Sequence, residues 1–183
     1  MANILIAVTG SIASYKSADL VSSLKKQGHQ VTVLMTEAAR EFIQPLTLQV
    51  LSQNPVHLDV MKEPAPDQVN HIELGKRTDL FIVVPATANT IAKLAHGFAD
   101  NMVTSTALAL PNHVKKLLAP AMNTKMYDHP ATQANLKTLV TYGYQIIYPK
   151  ESLLACGDHG KGALADLNTI LERIKETLNE QTL

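Results

Sequence analysis

The chain has 183 residues, 46% of them hydrophobic, with sixteen Lys plus Arg against sixteen Asp plus Glu and a single cysteine, Cys156. That length predicts one domain spanning 1–183, burying roughly 70% of the surface an unfolded chain would expose. Zero net charge excludes a broad basic field for nucleic acid or an anionic membrane, and one cysteine excludes an internal disulfide, a cysteine-rich zinc site and a CxxC pair. The first element, Ile4 to Val8, is a continuous aliphatic run, which suits a parallel strand buried on both faces. It is too short for a signal peptide or a membrane span, and no later run reaches the roughly 20 apolar residues a span needs. With three Phe, five Tyr and no Trp, base stacking is poorly supplied. A soluble protein of the reducing cytoplasm is expected.

From Ser14 onward Tyr15, Ala18, Val21 and Leu24 recur at helical spacing, and Lys25-Lys26-Gln27-Gly28 closes the helix with cations and a glycine. Val31 to Met35 reads as a second strand, so the opening residues form a β-α-β unit with a right-handed crossover. Asn54 to Asn70, with three prolines, reads as a surface excursion. His71 to Leu74 opens a short helix. Leu80 to Val84 is a strand ending at Pro85, Ala88 to Leu94 is helical, and Lys116 to Ala119 is a short strand ending at Pro120. Thr132 to Tyr142 is a helix stopped by Gly143, and Gln145 to Tyr148 a strand ending at Pro149. Asp166 caps a last helix carrying Leu167, Ile170, Leu171, Ile174 and Leu178 on one face. Strands alternating with helices predict an α/β fold, a Rossmann-like doubly wound parallel sheet with helices on both faces.

Ligands of such sheets sit beyond the carboxyl ends of the strands. After the first strand, Gly10-Ser11-Ile12-Ala13 offers free N–H groups at a helix start, suited to one phosphate, or simply a tight turn with Ser11 as cap. The missing glycines of a full GxGxxG point away from NAD. Thr36 and Thr87, the latter followed by Ala88, Asn89 and Thr90, read as helix caps or as the polar lining of a cleft for a flat cofactor. Pro120 to Tyr127 brackets Asn123 and Lys125 with Met122 and Met126. Asn123 either satisfies its own turn or orients a carboxylate. Leu153-Leu154-Ala155-Cys156 leads into three glycines within six residues, a pattern that reads as a mobile lid. Cys156 is either a small buried hydrophobe or a reactive thiol. His71 is either a solvated helix-start residue or a general base. No HExxH or paired-cysteine spacing supports a metal site.

Taken together these segments resemble the homo-oligomeric flavin-containing cysteine decarboxylases. Gly10-Ser11-Ile12 matches the family's phosphate-binding start. Pro85 to Thr90 resembles PASANT with Thr87 for serine, and Pro120 to Tyr127 resembles PxMNxxMW with Tyr127 for tryptophan. His71 to Leu74 matches the catalytic histidine segment and Ala155 to Asp158 the substrate flap, where Leu164 stands for a frequent methionine. The resemblance implies FMN held by Gly10, Ser11, Ile12, Thr36, Thr87, Ala88, Asn89, Thr90 and Met122. It implies His71 as base, Asn123 on the substrate carboxylate and Cys156 as proton donor. Asn123, Met126, Leu153, Leu154 and Ala155 would contact substrate.

The implied reaction is decarboxylation of 4′-phosphopantothenoylcysteine to 4′-phosphopantetheine in coenzyme A synthesis. Oxidation of the thiol-bearing carbon gives a thioaldehyde able to accept the electrons released with CO2, and the resulting enethiolate is then reduced by the same flavin. Trimers or dodecamers, with active sites between subunits, and a separate phosphopantothenate–cysteine ligase follow as expectations. Three alternatives stay open. A peptidyl-cysteine decarboxylase would share FMN, His71 and Asn123. The Cys156 flap and Asn123 segment speak against a flavin prenyltransferase. A non-catalytic phosphatase-inhibitor-like relative would lack the histidine or cysteine and carry long acidic tails.

Overall fold

The computed structural model of the protein describes residues 1–63, 66–155 and 157–180. Its elements, in chain order, are β1 (Asn3–Val8), α1 (Lys16–Lys26), β2 (Gln30–Met35), α2 (Pro45–Ser52), β3 (Val56–His57), α3 (Asn70–Lys76), β4 (Leu80–Ala86) and α4 (Ala88–Ala95). There follow α5 (Met102–Leu108), β5 (Lys115–Pro120), α6 (Thr124–Asp128), α7 (Pro130–Thr141), β6 (Tyr144–Ile146), β7 (Lys150–Leu153), β8 (His159–Ala163) and α8 (Leu167–Asn179). Six strands form one sheet in the order β3-β2-β1-β4-β5-β6, with every neighbouring pair parallel. This is the expected Rossmann-like doubly wound architecture, and its switch point falls between β1 and β4.

The central strands are largely aliphatic because both sheet faces are covered. Ile4, Ile6 and Val8 of β1 join one apolar cluster with Leu20, Leu24, Ile170 and Ile174 from α1 and α8. Leu5 and Ala7 join the opposite cluster with Phe81, Val83, Ile91 and Leu139. Alternation along an extended chain thus sends successive side chains into two separate cores. At about 25 cal/mol per Å² of apolar area, burying each of these larger side chains contributes roughly 1.5–3 kcal/mol.

At the switch point, polar side chains pin the strand ends. The Thr9 hydroxyl donates to the Pro85 carbonyl at 2.7 Å and accepts from the Thr87 N–H at 3.1 Å, while Ser17 donates to the Val84 carbonyl at 3.0 Å. The Val84–Pro85 peptide bond is cis, and β4 continues through it to Ala86 instead of stopping at Pro85. The helix expected from Ser14 begins instead as a 3-10 turn over Ile12–Tyr15 and becomes α-helical at Lys16. Gly28 after α1 and Gly143 after α7 have φ of +84° and +86°, the left-handed conformation that ends helices at low steric cost.

Several elements differ from the sequence reading. β6 spans Tyr144–Ile146, earlier than Gln145 to Tyr148. The excursion between Asn54 and Asn70 contributes the edge strand β3, anchored by the Asn54 amide donating to the Val31 carbonyl at 2.7 Å. The glycine-rich segment read as a mobile lid contributes strand β8, paired antiparallel with β7. Asp166 does occupy the N-cap of α8, but its side chain makes no capping bond, because it accepts from Lys150 Nζ instead.

Candidate active site

Four strand-end turns enclose a cleft of about 570 Å³ at the switch point, within the range of small-molecule sites. β1 supplies Gly10 and Ser11, β2 supplies Thr36 to Ala38, β4 supplies Thr87 to Thr90, and β5 supplies Ala121 and Met122. Gly10 has a packing reason to lack a side chain: a Cβ there would stand 2.5 Å from the Cβ of Ala38, so only glycine lets the first two turns close together. Ser11 caps the 3-10 turn, accepting from the Ala13 N–H at 3.2 Å while its own N–H donates to the Ser14 hydroxyl at 3.2 Å. Thr87 caps α4, accepting from the Thr90 N–H at 3.3 Å. The first turn of α4 therefore points its remaining N–H donors and the positive end of its dipole at the cleft.

Thr36 behaves differently from the cap that the sequence allowed. Its side chain makes no capping bond, and its hydroxyl is buried without a hydrogen-bond partner among the described residues. An orphaned hydroxyl in a cleft wall costs roughly 1–3 kcal/mol and marks a place where a polar ligand atom would complete the bonding. Small side chains, helix-end donors and this hydroxyl together fit a flat cofactor bearing a phosphate. Sequence reasoning passed over Lys93 and Asp100, which also line the cleft as an ion pair. The hydrogen bond from Lys93 holds the Asp100 carboxyl below its usual range. An i-to-i+7 relation crossing from α4 into the next loop leaves no periodic trace.

A second cleft of about 450 Å³ adjoins the first, and Ser11, Ala121 and Met122 line both. Its other walls are Ile12, Asn123 and the β7 strand with the residues after it, including Leu153, Leu154 and Ala155. Ile12, expected beside the cofactor, lines this second cleft, whereas Met126, expected beside substrate, lines the first. Asn123 is the N-cap of α6. Its Oδ1 accepts from the Lys125 N–H at 2.9 Å and its Nδ2 donates to Asp158 at 3.0 Å, so both alternatives for this residue, turn former and orienting amide, use different atoms of one side chain.

The roof of the second cleft is docked through glycines. A Cβ on Gly162, whose φ is +152°, would lie 2.2 Å from the Met122 carbonyl oxygen, and the Met122 N–H donates to the Gly162 carbonyl at 2.9 Å. A Cβ on Gly160 would meet the Thr124 side chain at 2.8 Å. Glycines two apart on β8 face the same way, and here both are buried against the turn that carries Asn123. These two glycines permit close packing, which is a different role from the mobility read from sequence. Leu164 is 3% exposed and borders the second cleft, and Tyr127, 7% exposed, packs with Leu136 and Leu139.

Cys156 lies outside the described residues. His71 sits in the first turn of α3 and lines neither cleft. Its Nδ1 is buried without a partner among the described residues. Apart from Cys156, the chain thus brings the other residues expected to contact cofactor or substrate to these two clefts, and His71 to neither. No group of three or more His, Cys, Asp or Glu able to hold a metal occurs among the described residues. Among them, no helix is long and apolar enough to cross a membrane.

Comparison with known proteins accords with this geometry. The Flavoprotein family profile matches residues 1–179. A "Probable phosphopantothenoylcysteine decarboxylase" of Streptococcus mutans is 63% identical over 96% of this chain and 98% of its own. The "Coenzyme A biosynthesis bifunctional protein CoaBC" of Bacillus subtilis is 46% identical over 98% of this chain, which spans only 44% of that longer protein. Among solved structures, a cysteine-to-serine variant of a PPC decarboxylase complexed with pantothenoylaminoethenethiol has a TM-score of 0.85 at 30% identity, covering 95% of this chain and 96% of its own. The FMN-dependent cysteine decarboxylase SpaF has a TM-score of 0.86 at 28% identity, covering 100% of this chain and 98% of its own. This chain belongs to the Flavoprotein family.

Proposed function

We propose that the protein is an FMN-dependent carboxy-lyase that converts 4′-phosphopantothenoylcysteine to 4′-phosphopantetheine and CO2 in coenzyme A synthesis. The observation that carries this reading is the pair of clefts sharing Ser11, Ala121 and Met122, which sets a cofactor and a substrate side by side. The Streptococcus mutans relative, matched along nearly its whole length, bears the name of this activity. FMN is named in the description of the neighbour SpaF. Under this reading residues 1–183 form one flavoprotein domain.

Gly10, Ser11, Thr36, Thr87, Ala88, Asn89, Thr90 and Met122 would hold FMN, with the α4 N-terminus and Ser11 offering donors to its phosphate. When bound, FMN supplies a reversible two-electron acceptor for the thiol-bearing carbon of the substrate. Ile12, Leu153, Leu154 and Ala155 exclude water from the reacting end, and Asn123 presents its amide Nδ2 to the departing carboxylate. Nδ2 also donates to Asp158 at 3.0 Å, a bond that orients the amide. His71 serves as base and Cys156 as proton donor to the product carbon. Since His71 lines neither cleft of its own chain, a neighbouring subunit completes the site, in keeping with a homo-oligomer built from trimers. A phosphopantothenate–cysteine ligase is the pathway neighbour, and the cytoplasm the compartment.

The test is direct. The purified protein, reconstituted with FMN, is expected to show the two absorption bands of oxidised flavin and to release CO2 and phosphopantetheine from phosphopantothenoylcysteine. A protein that binds no flavin, or that decarboxylates only a peptide ending in cysteine, refutes the reading.

A further inference from the structure

The charge distribution of the second cleft is uneven. The chain as a whole balances sixteen basic against sixteen acidic residues, yet the charged residues lining this cleft are Lys16 and Lys150, with no carboxylate. The first cleft, by contrast, contains Glu37 and Asp100 beside Lys93. Lys16 opens α1 and Lys150 opens β7, so both come from rigid element starts. Ser11 and Met122 form the wall shared with the first cleft, and the lysines line only the second. Three β steps of about 3.3 Å place Lys150 roughly 10 Å from Leu153. An anionic substrate whose reacting end lies at the shared wall would direct its far end toward these cations.

Among the described residues, Asp166 is the carboxylate that pairs with Lys150. It accepts from Lys150 Nζ, leaving α8 without a side-chain cap. The hydrogen bond from Lys150, with a smaller contribution from the Lys16 charge, holds the Asp166 carboxyl below its usual range. Asp166 borders an adjoining groove with Lys16 and does not line the second cleft. Two lysines and one aspartate leave a net positive charge, and a phosphate monoester carries more negative charge than a carboxylate at neutral pH. A lysine on a flexible stem can turn from one to the other.

We propose that Lys16 and Lys150 form the subsite for the phosphate of the substrate, and that Asp166 holds Lys150 until the phosphate replaces it. This rests on the decarboxylase reading for the identity of the substrate, but it is a claim about a phosphate monoester on a pantothenoyl arm and can be measured by binding alone. Loss of either cation removes one charge-assisted contact, worth roughly a tenfold change in affinity.

The experiment uses the FMN-loaded protein and titrates it calorimetrically with phosphopantetheine and with pantetheine. In parallel, kcat/KM is measured for phosphopantothenoylcysteine and pantothenoylcysteine. Wild type is expected to prefer the phosphorylated member of each pair. Lys16→Gln and Lys150→Gln are each expected to cut that preference about tenfold, and Asp166→Asn to increase it by freeing Lys150. Lys175→Gln, which borders a different cleft at the far end of the sheet, keeps the wild-type preference. A wild type with no phosphate preference, or lysine variants that retain it, overturns the subsite. If wild type decarboxylates neither substrate the function reading falls, while the calorimetric preference still decides for or against Lys16 and Lys150.

Discussion

Replacing Gly162 by alanine tests whether the hairpin roof is docked through its missing side chains. The new Cβ would stand 2.2 Å from the Met122 carbonyl oxygen, a backbone atom that cannot rotate away. At φ +152° an L-residue is also strained, at a cost of about 1–3 kcal/mol. Relieving the overlap breaks the 2.9 Å bond from the Met122 N–H to the Gly162 carbonyl, worth about 1 kcal/mol. The sum, roughly 2–4 kcal/mol, raises the open population of the hairpin by about 30- to 1,000-fold. Gly160→Ala meets the Thr124 hydroxyl and methyl at 2.8 and 2.9 Å, and because those are side-chain atoms the expected cost is smaller, about 1 kcal/mol. β7 and β8 form a sheet of their own, so the melting temperature should change far less than local opening. Hydrogen exchange at the Met122 and Leu154 amides reads that opening, and KM for substrate is expected to rise with it. Wild-type exchange and turnover in Gly162→Ala, or equal losses in both variants, would refute the docking argument.

Thr36→Val removes a buried unpaired hydroxyl, so the flavin-free protein should be stabilised by up to about 1 kcal/mol while FMN affinity falls roughly tenfold; melting curves and flavin titration measure the two signs, and the opposite pair of signs removes Thr36 from the cofactor site. His71→Asn and Asn123→Asp are each expected to abolish CO2 release with the yellow cofactor retained, and intact turnover in either variant frees that residue from its role. Cys156→Ser should release CO2 but accumulate an unsaturated thiol product, which mass spectrometry detects; saturated phosphopantetheine from that variant would count against the proton donor. Burial lowers the His57 pKa from its ordinary 6.5, and its Nδ1 lies 2.9 Å from the Asn70 amide. The folded state therefore resists a proton that the unfolded chain accepts, so stability should decline as pH falls from about 6.5 toward the lowered folded value. His57→Gln is expected to flatten that decline between pH 7 and 5.5, and an unchanged slope would exclude His57 as its source.

The sheet was readable because parallel strands covered on both faces must be aliphatic runs, and the runs at Ile4, Val31, Leu80 and Leu117 are unbroken by charge. β3 escaped notice because two residues at a sheet edge carry no period. α5 left a trace that was not used: Asn101 accepts from the Val103 and Thr104 N–H groups while Thr104 accepts from the Asn101 N–H, a reciprocal cap spelled by the spacing of the two residues. The β7–β8 hairpin was misread because glycines are depleted from strands, and only the tertiary contacts with Met122 and Thr124 explain why Gly160 and Gly162 belong there. The cofactor-cleft residues were legible because they follow strand ends. Lys16 and Lys150 were not, since each reads alone as a solvated surface lysine until the fold brings them to one cleft.

The two clefts share a wall but not a mode of support. The first is built from turns continuous with the central strands, pinned by Thr9 to Pro85 and Thr87 and by Ser17 to Val84, so opening it means breaking into a sheet whose central strand β4 is buried along its whole length. The second is roofed by a two-stranded hairpin, a unit only marginally stable without further packing. That hairpin is held down by glycine contacts, the Met122–Gly162 bond, the Asn123–Asp158 bond and the Lys150–Asp166 pair. Low local stability therefore concentrates over the second cleft. A reaction in which one ligand must stay through many turnovers while another enters and leaves requires this division. It also follows that the hairpin can be loosened without loosening the first cleft, so variants at Gly162, Asp158 and Lys150 should alter substrate affinity while flavin content stays at its wild-type level.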